Sequence, residues 1–193
     1  MRYAFIIGFV LMIVAQWFAP LSMIVGANKT IEGGTEYKFR TQPVDPIDPF
    51  RGKYITLTFN EEFYVPLDTN ERRLPDYSTV YAVLGTDSIG YARIMQLRAE
   101  RPTENLDYIE VQRLYSYGST EPMSLKFPFS RFYLEESKAT TAEQIYWQSR
   151  NDSATVCYAK VKVMDGDAKL TDVILNDSSI VDVVKRFNKG KED

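Results

Sequence analysis

Glu36-Tyr37-Lys38-Phe39-Arg40-Thr41 (EYKFRT) alternates aromatic with charged or polar side chains without a break. Successive residues of a strand point to opposite faces, so this period of two reads as a half-buried strand with its aromatic residues on one side. The same logic recurs at Lys53–Phe59, where Ile55, Leu57 and Phe59 share one face and Tyr54, Thr56 and Thr58 the other. Val80–Leu84 and Tyr91–Leu97 flank the turn cluster Gly85-Thr86-Asp87-Ser88-Ile89-Gly90 and predict a hairpin, and Asp107–Leu114 predicts a further strand. Val156–Met164 and Ala168–Leu175 surround Asp165-Gly166-Asp167, a second hairpin signal because Gly tolerates positive φ. Along the first arm, Cys157 alternates with Ala159, Val161 and Val163, which makes it a small core residue. One segment departs from this pattern. Thr140-Thr141-Ala142-Glu143 has capping-box spacing, and Ala142, Ile145, Tyr146 and Ser149 follow at helical spacing, so a short helix is expected near residues 141–150. The expected class is mainly β (α+β), with antiparallel strands in one domain over 28–193.

Ahead of that domain, Tyr3 to Val25 (YAFIIGFVLMIVAQWFAPLSMIV) carries no charged side chain. As a helix it rises about 34 Å, enough to cross a hydrocarbon core of about 30 Å. Residues 1–27 therefore read as an N-terminal transmembrane helix with the lipid bilayer as its first partner. An uncleaved signal anchor fits better than a cleaved signal peptide, because the run exceeds the usual apolar region of about 7–15 residues and includes Trp17 and Pro20. Ser22 is expected to bond back into its own helix beside Pro20. Arg2 is opposed by Lys29, Lys38 and Arg40 beyond the run, so charge counting decides little. Long domains translocate largely regardless of charge, and the expectation is a single pass through the cell (inner) membrane with the domain on the periplasmic or extracellular side.

The chain holds 23 basic and 26 acidic residues, one cysteine and no histidine. Lacking histidine, it lacks the commonest general base and metal ligand, and a lone Cys157 forms neither a disulfide nor a zinc cluster. No glycine-rich phosphate loop is present, and no cofactor is expected. The charge pattern offers no basic stripe for nucleic acid. Lys185, Arg186, Lys189 and Lys191 read as a solvated, fraying terminus.

Between the first two strands lies Thr41-Gln42-Pro43-Val44-Asp45-Pro46-Ile47-Asp48-Pro49-Phe50-Arg51-Gly52-Lys53-Tyr54. The prolines of the two Asp-Pro pairs hold φ near −65° and push each preceding Asp towards extended geometry, which makes a rigid connection. Gly52 supplies positive φ or close backbone approach before the Tyr54 strand. With Gly52-Lys53-Tyr54-Ile55-Thr56-Leu57-Thr58-Phe59, the chain resembles the GDYXXLXY family of bacterial membrane-anchored proteins of unknown function. Gly52, Tyr54 and Leu57 keep the motif spacing, whereas Lys53 stands in place of its Asp and Phe59 in place of its last Tyr. Phe127-Pro128-Phe129-Ser130-Arg131-Phe132-Tyr133-Leu134-Glu135-Glu136 extends the resemblance. Relatives are often encoded beside multi-pass membrane proteins, which implies a membrane protein partner.

Asp45 and Asp48 are too few to build a Ca²⁺ site, and capping a turn or pairing with Arg51 suits them better. Glu135 and Glu136 point to opposite strand faces if extended and so do not share one acid–base site. A buried pair between Arg131 and an acid is expected to fix the start of the helix. The candidate motif residues are thus Asp45, Pro46, Asp48, Pro49, Arg51, Gly52, Tyr54, Leu57, Arg131, Tyr133, Glu135 and Glu136, none of them assigned a catalytic or metal role. The favoured reading is an anchored accessory or interaction domain without chemistry of its own. The alternative is an envelope hydrolase or ligand-binding domain using Asp45, Asp48, Glu135 or Glu136.

Overall fold

The computed structural model of the protein describes residues 2–42, 54–115, 122–135, 138, 141, 142, 145 and 156–192. A single helix α1 (Arg2–Gly33) opens the chain. Its stretch Ile6–Gly33 is long and apolar enough to cross a membrane, and its most apolar part is not covered by the rest of the protein. Ser22 Oγ donates to the Ala19 carbonyl at 2.8 Å, as expected of a hydroxyl inside a helix. The helix continues past the apolar run and ends on the β domain.

Strands β1 (Thr35–Gln42), β2 (Tyr54–Thr56), β3 (Thr58–Phe59), β4 (Phe63–Tyr64), β5 (Thr79–Thr86), β6 (Ala92–Arg98), β7 (Tyr108–Arg113), β8 (Met123–Lys126), β9 (Arg131–Tyr133), β10 (Cys157–Met164), β11 (Asp167–Leu175) and β12 (Ser178–Ser179) follow, with helices α2 (Thr69–Arg72) and α3 (Ile180–Glu192). They form sheets ordered β12-β11-β10-β1-β3, β2-β9 and β4-β8-β7-β5-β6. Every paired strand is antiparallel. Tyr37 and Phe39 face the core from β1. The two predicted hairpins are present as β5–β6 and β10–β11. In the second, Asp165 (φ 51°) and Gly166 (φ 90°) form the two-residue loop, the positive-φ pair that matches strand twist.

The expected strand Lys53–Phe59 bends at Leu57, whose N–H is given to the Ser130 carbonyl at 2.8 Å. Tyr54–Thr56 then pairs with β9, while Thr58–Phe59 pairs with β1. Ile55, Leu57 and Phe59 nevertheless stay buried together. Around Phe39, the rings of Phe59, Phe127 and Phe129 lie 5.8, 5.5 and 5.3 Å away, each edge-on. This arrangement suits the ring quadrupole and joins β1 and β3 to the segment that follows β8. Of the expected helix near residues 141–150, Thr141, Ala142 and Ile145 are helical, and Ala142 and Ile145 are buried; Tyr146, Trp147 and Ser149 lie outside the described residues.

The C-terminus corrects the reading of a fraying tail. Ile180 and Val184 are fully buried at one helical spacing, and Val181 and Val183 pack partly beside them. The apolar face of α3 therefore docks on the core, while Lys185 and Arg186 remain on its exposed side.

Helix α1 is fastened to the sheet rather than loosely linked. Thr30, only 4% exposed, donates its hydroxyl to Asp167 Oδ2 at 2.8 Å, and Lys162 Nζ donates to the Gly34 carbonyl at 3.3 Å. Gly34 sits where backbones converge: a Cβ there would lie 2.5 Å from the Thr30 carbonyl oxygen and 2.9 Å from that of Val163. Neither neighbour is a yielding side-chain tip. Gly34→Ala is expected to cost about 1–3 kcal/mol by overpacking and to loosen the junction. Limited proteolysis of the full chain in mild detergent checks this, since wild type should resist cutting near residue 34 and the variant should not.

Candidate functional site

The two sequence blocks that carry the family resemblance meet in space. Strand β2 brings Tyr54, strand β9 brings Arg131 and Tyr133, and the antiparallel register sets Tyr54 opposite Tyr133 and Thr56 opposite Arg131. The Tyr54 and Tyr133 rings lie 5.5 Å apart at 60°. The Arg131 guanidinium stands 4.9 Å from the centre of the Tyr54 ring, where the negative π face attracts it. Tyr133 is 65% exposed, and Arg131 is exposed as well. Leu57, 1% exposed, ties the end of β2 to the residue before β9 by its N–H to the Ser130 carbonyl.

This placement corrects the expected buried ion pair of Arg131. The side chain lies at the surface and is held by a hydrogen bond with Tyr133 and by the Tyr54 face, which together keep its guanidinium firmly protonated. A two-stranded ribbon turns alternate residues to one side, so Arg131 and Tyr133 emerge together and the stem of Phe132 turns to the core. Glu135 is also exposed and pairs with Lys138 at 2.7 Å. The lysine holds its carboxyl below the usual range, the reverse of what a general acid requires. Asp45, Pro46, Asp48, Pro49, Arg51, Gly52 and Glu136 lie outside the described residues. Among the described residues, no group of three or more Cys, Asp or Glu side chains is arranged to hold a metal ion. Burial pushes the Cys157 thiol up to about 11, so it stays protonated and poorly nucleophilic.

Two carboxylates that sequence reasoning did not single out hold the edge of the third sheet. Glu61 Oε2 accepts the Ile94 N–H at 3.1 Å, and Glu71 Oε1 accepts the Leu97 N–H at 2.9 Å. Both donors belong to edge strand β6, so two of its N–H groups are occupied by this chain's own side chains. Nothing in the spacing of Glu61 and Glu71 signals this, because the contacts cross 33 and 26 residues.

Glu62 provides a pH-dependent element nearby. Burial raises its carboxyl to about 7, opposed only by the Phe59 N–H that it accepts at 3.3 Å. An acid whose folded pKa lies above its unfolded value near 4.5 favours folding when protonated. Its contribution is full below that unfolded value and is lost as pH rises through about 7. Denaturant midpoints of wild type should therefore fall between about pH 4.5 and 7 by more than those of Glu62→Gln; parallel pH profiles of the two proteins would contradict the assignment.

Comparison with known proteins places these features. The sequence profile described as GDYXXLXY protein matches residues 16–173. No curated protein matches the chain, and no solved structure does. The match runs from the second half of the apolar helix through both motif blocks to β11, and by this extent the chain belongs to the GDYXXLXY family.

Proposed function

We propose that the protein is a membrane-anchored, extracytoplasmic interaction domain that docks on a multi-pass membrane protein, with the Tyr54–Arg131–Tyr133 patch as part of its contact surface. The observation that carries this reading is the patch itself: a solvent-facing Arg stacked on one Tyr and bonded to a second, built from the two motif blocks of the family. Tyr and Arg are, with Trp, the side chains enriched among those that dominate binding energy at protein contacts: the ring buries a large area, and the guanidinium adds directed hydrogen bonds and stacking. The junction of α1 with the β10–β11 hairpin supports the same reading, since a domain held firmly to its membrane helix presents one face to a neighbour in the bilayer. Glu135, ionised and paired at the surface, lends no support to a hydrolase.

Site-specific photocrosslinking from position 133 in native membranes tests the proposal. A discrete product with one multi-pass protein is expected, and Arg131→Ala combined with Tyr54→Ala should reduce its yield by about tenfold or more, the loss of one binding hot spot. Recovery of monomer alone under gentle detergent, or undiminished yield in the double variant, would refute it.

A further inference from the structure

Strand β8 pairs with β7 only at Gln112–Lys126 and Arg113–Leu125. Beyond that point the chain turns away through Phe127 and Pro128, and the tip of the β10–β11 hairpin takes the vacated side of β7, where Glu110 gives its N–H to the Gly166 carbonyl at 3.0 Å. The space left between them is a cleft of about 460 Å³, lined by Thr79, Glu110, Gln112, Lys126, Phe127 and Asp165 among others. Its volume is that of a small-molecule site.

The cleft has two chemical ends. Thr79, Gln112 and Lys126 lie in one cross-strand row over β5, β7 and β8 and offer a hydroxyl, an amide and an ammonium. Glu110 sits two residues before Gln112 on the same face, and Asp165 borders it from the hairpin, so two carboxylates lie opposite the ammonium. Glu110 and Lys126 form a diagonal cross-strand pair, about 7–8 Å apart at the backbone, and no ion pair joins them among the described residues. Arg101 borders the acidic end: its guanidinium donates to the Asp165 carbonyl at 3.2 Å and is held protonated chiefly by Tyr108 and in part by the charges of Asp165 and Glu110.

Its position relative to α1 is fixed. Asp167, which holds the Thr30 hydroxyl, also lines the cleft. Thr30 follows the last residue of the apolar run by five positions, a rise of about 8 Å. The headgroup layer on each side of a bilayer is about 5–8 Å thick. We infer that this cleft binds the headgroup of a zwitterionic, phosphatidylethanolamine-type phospholipid, with the phosphate at Lys126 and the ammonium between Glu110 and Asp165. The inference rests on the reading of α1 as a membrane span. Two carbons separate the phosphate from the ammonium in such a headgroup, so both ends fit within one cleft of about 460 Å³ that carries both signs of charge. An anionic headgroup without an amine would leave Glu110 and Asp165 facing its phosphate.

Native mass spectrometry of the full-length chain, titrated in detergent with phosphatidylethanolamine or phosphatidylglycerol, tests it. Wild type should retain phosphatidylethanolamine about tenfold more tightly, and Lys126→Ala and Glu110→Ala should each abolish that preference, as expected for loss of one charge-assisted bond. Thermal unfolding of the lipid-free variants should match wild type, because both side chains are exposed. Equal retention of the two lipids by wild type, or an unchanged preference in both variants, overturns the inference. So does binding of water-soluble phosphoethanolamine as tight as that of the lipid, which would mark the site as one for a free compound. Extraction of the chain from membranes by alkaline carbonate would instead overturn the anchoring on which the inference rests.

Discussion

Phe39→Ala is expected to lower the unfolding free energy of the domain by about 3–5 kcal/mol, the range for deleting a fully buried aromatic ring. Phe39 has no exposed surface and contacts three rings, those of Phe59, Phe127 and Phe129, at edge-on angles of 67°, 66° and 63°. Each such pair adds about 0.5–1.5 kcal/mol beyond area burial, although the remaining rings can recover part of this by closing on one another. Phe59–Phe127 and Phe59–Phe129 contacts survive the substitution, so the cavity should be lined by aromatic carbon on several sides. Phe39→Leu keeps most of the volume and should cost less than half as much as Phe39→Ala. Urea unfolding of the full chain in mild detergent measures both. A loss below about 1 kcal/mol for Phe39→Ala would mean that the cluster collapses freely and does not hold the sheets together.

The legible parts of this fold are those where periodicity and burial coincide. Tyr37 and Phe39 alternate with charged residues because β1 has one face on the core, and the β10–β11 turn announces itself through Gly166 and its positive φ. The strands without a sequence signal, β4, β8, β9 and β12, have two to four residues each, too few for a period to show. The helical spacing of Ile180 and Val184 was masked by the basic residues that follow it. At the candidate site, the motif blocks could be recognised, but not that Tyr54 and Tyr133 face each other, because pairing across so long a separation leaves no local trace. Arg131 misled for a physical reason: next to two glutamates an arginine reads as an ion-pair partner, whereas the aromatic face of Tyr54 attracts the guanidinium without burying it.

Glu71→Ala should destabilise the domain by about 3–5 kcal/mol, the cost of leaving several buried hydrogen-bond donors without their acceptor. Glu71 is 2% exposed and still fully hydrogen bonded. Its carboxylate accepts the Tyr64 hydroxyl at 3.0 Å from either oxygen, the Leu67 N–H at 2.6 Å and the Leu97 N–H at 2.9 Å. Helix α2 places it there, its first turn fixed by the Asp68 carboxylate, which accepts the Glu71 N–H at 2.8 Å. Truncation leaves two main-chain donors and a phenol without an acceptor, each worth about 1–3 kcal/mol when buried. Glu71→Gln separates charge from shape: its carbonyl can serve one main-chain N–H, but its amide then faces the other. An intermediate loss of about 2 kcal/mol is expected for it. The same carboxylate occupies an outward N–H of edge strand β6, so Glu71→Ala should also expose that edge to pairing with another chain. Hydrogen exchange at the Leu97 amide reads this directly, faster in Glu71→Ala than in wild type, and light scattering at matched concentration should rise alongside it. If Glu71→Ala unfolds at the wild-type midpoint with the Leu97 amide still protected, water replaces the carboxylate at no cost, and Glu71 is not what holds α2, the β4 segment and β6 together.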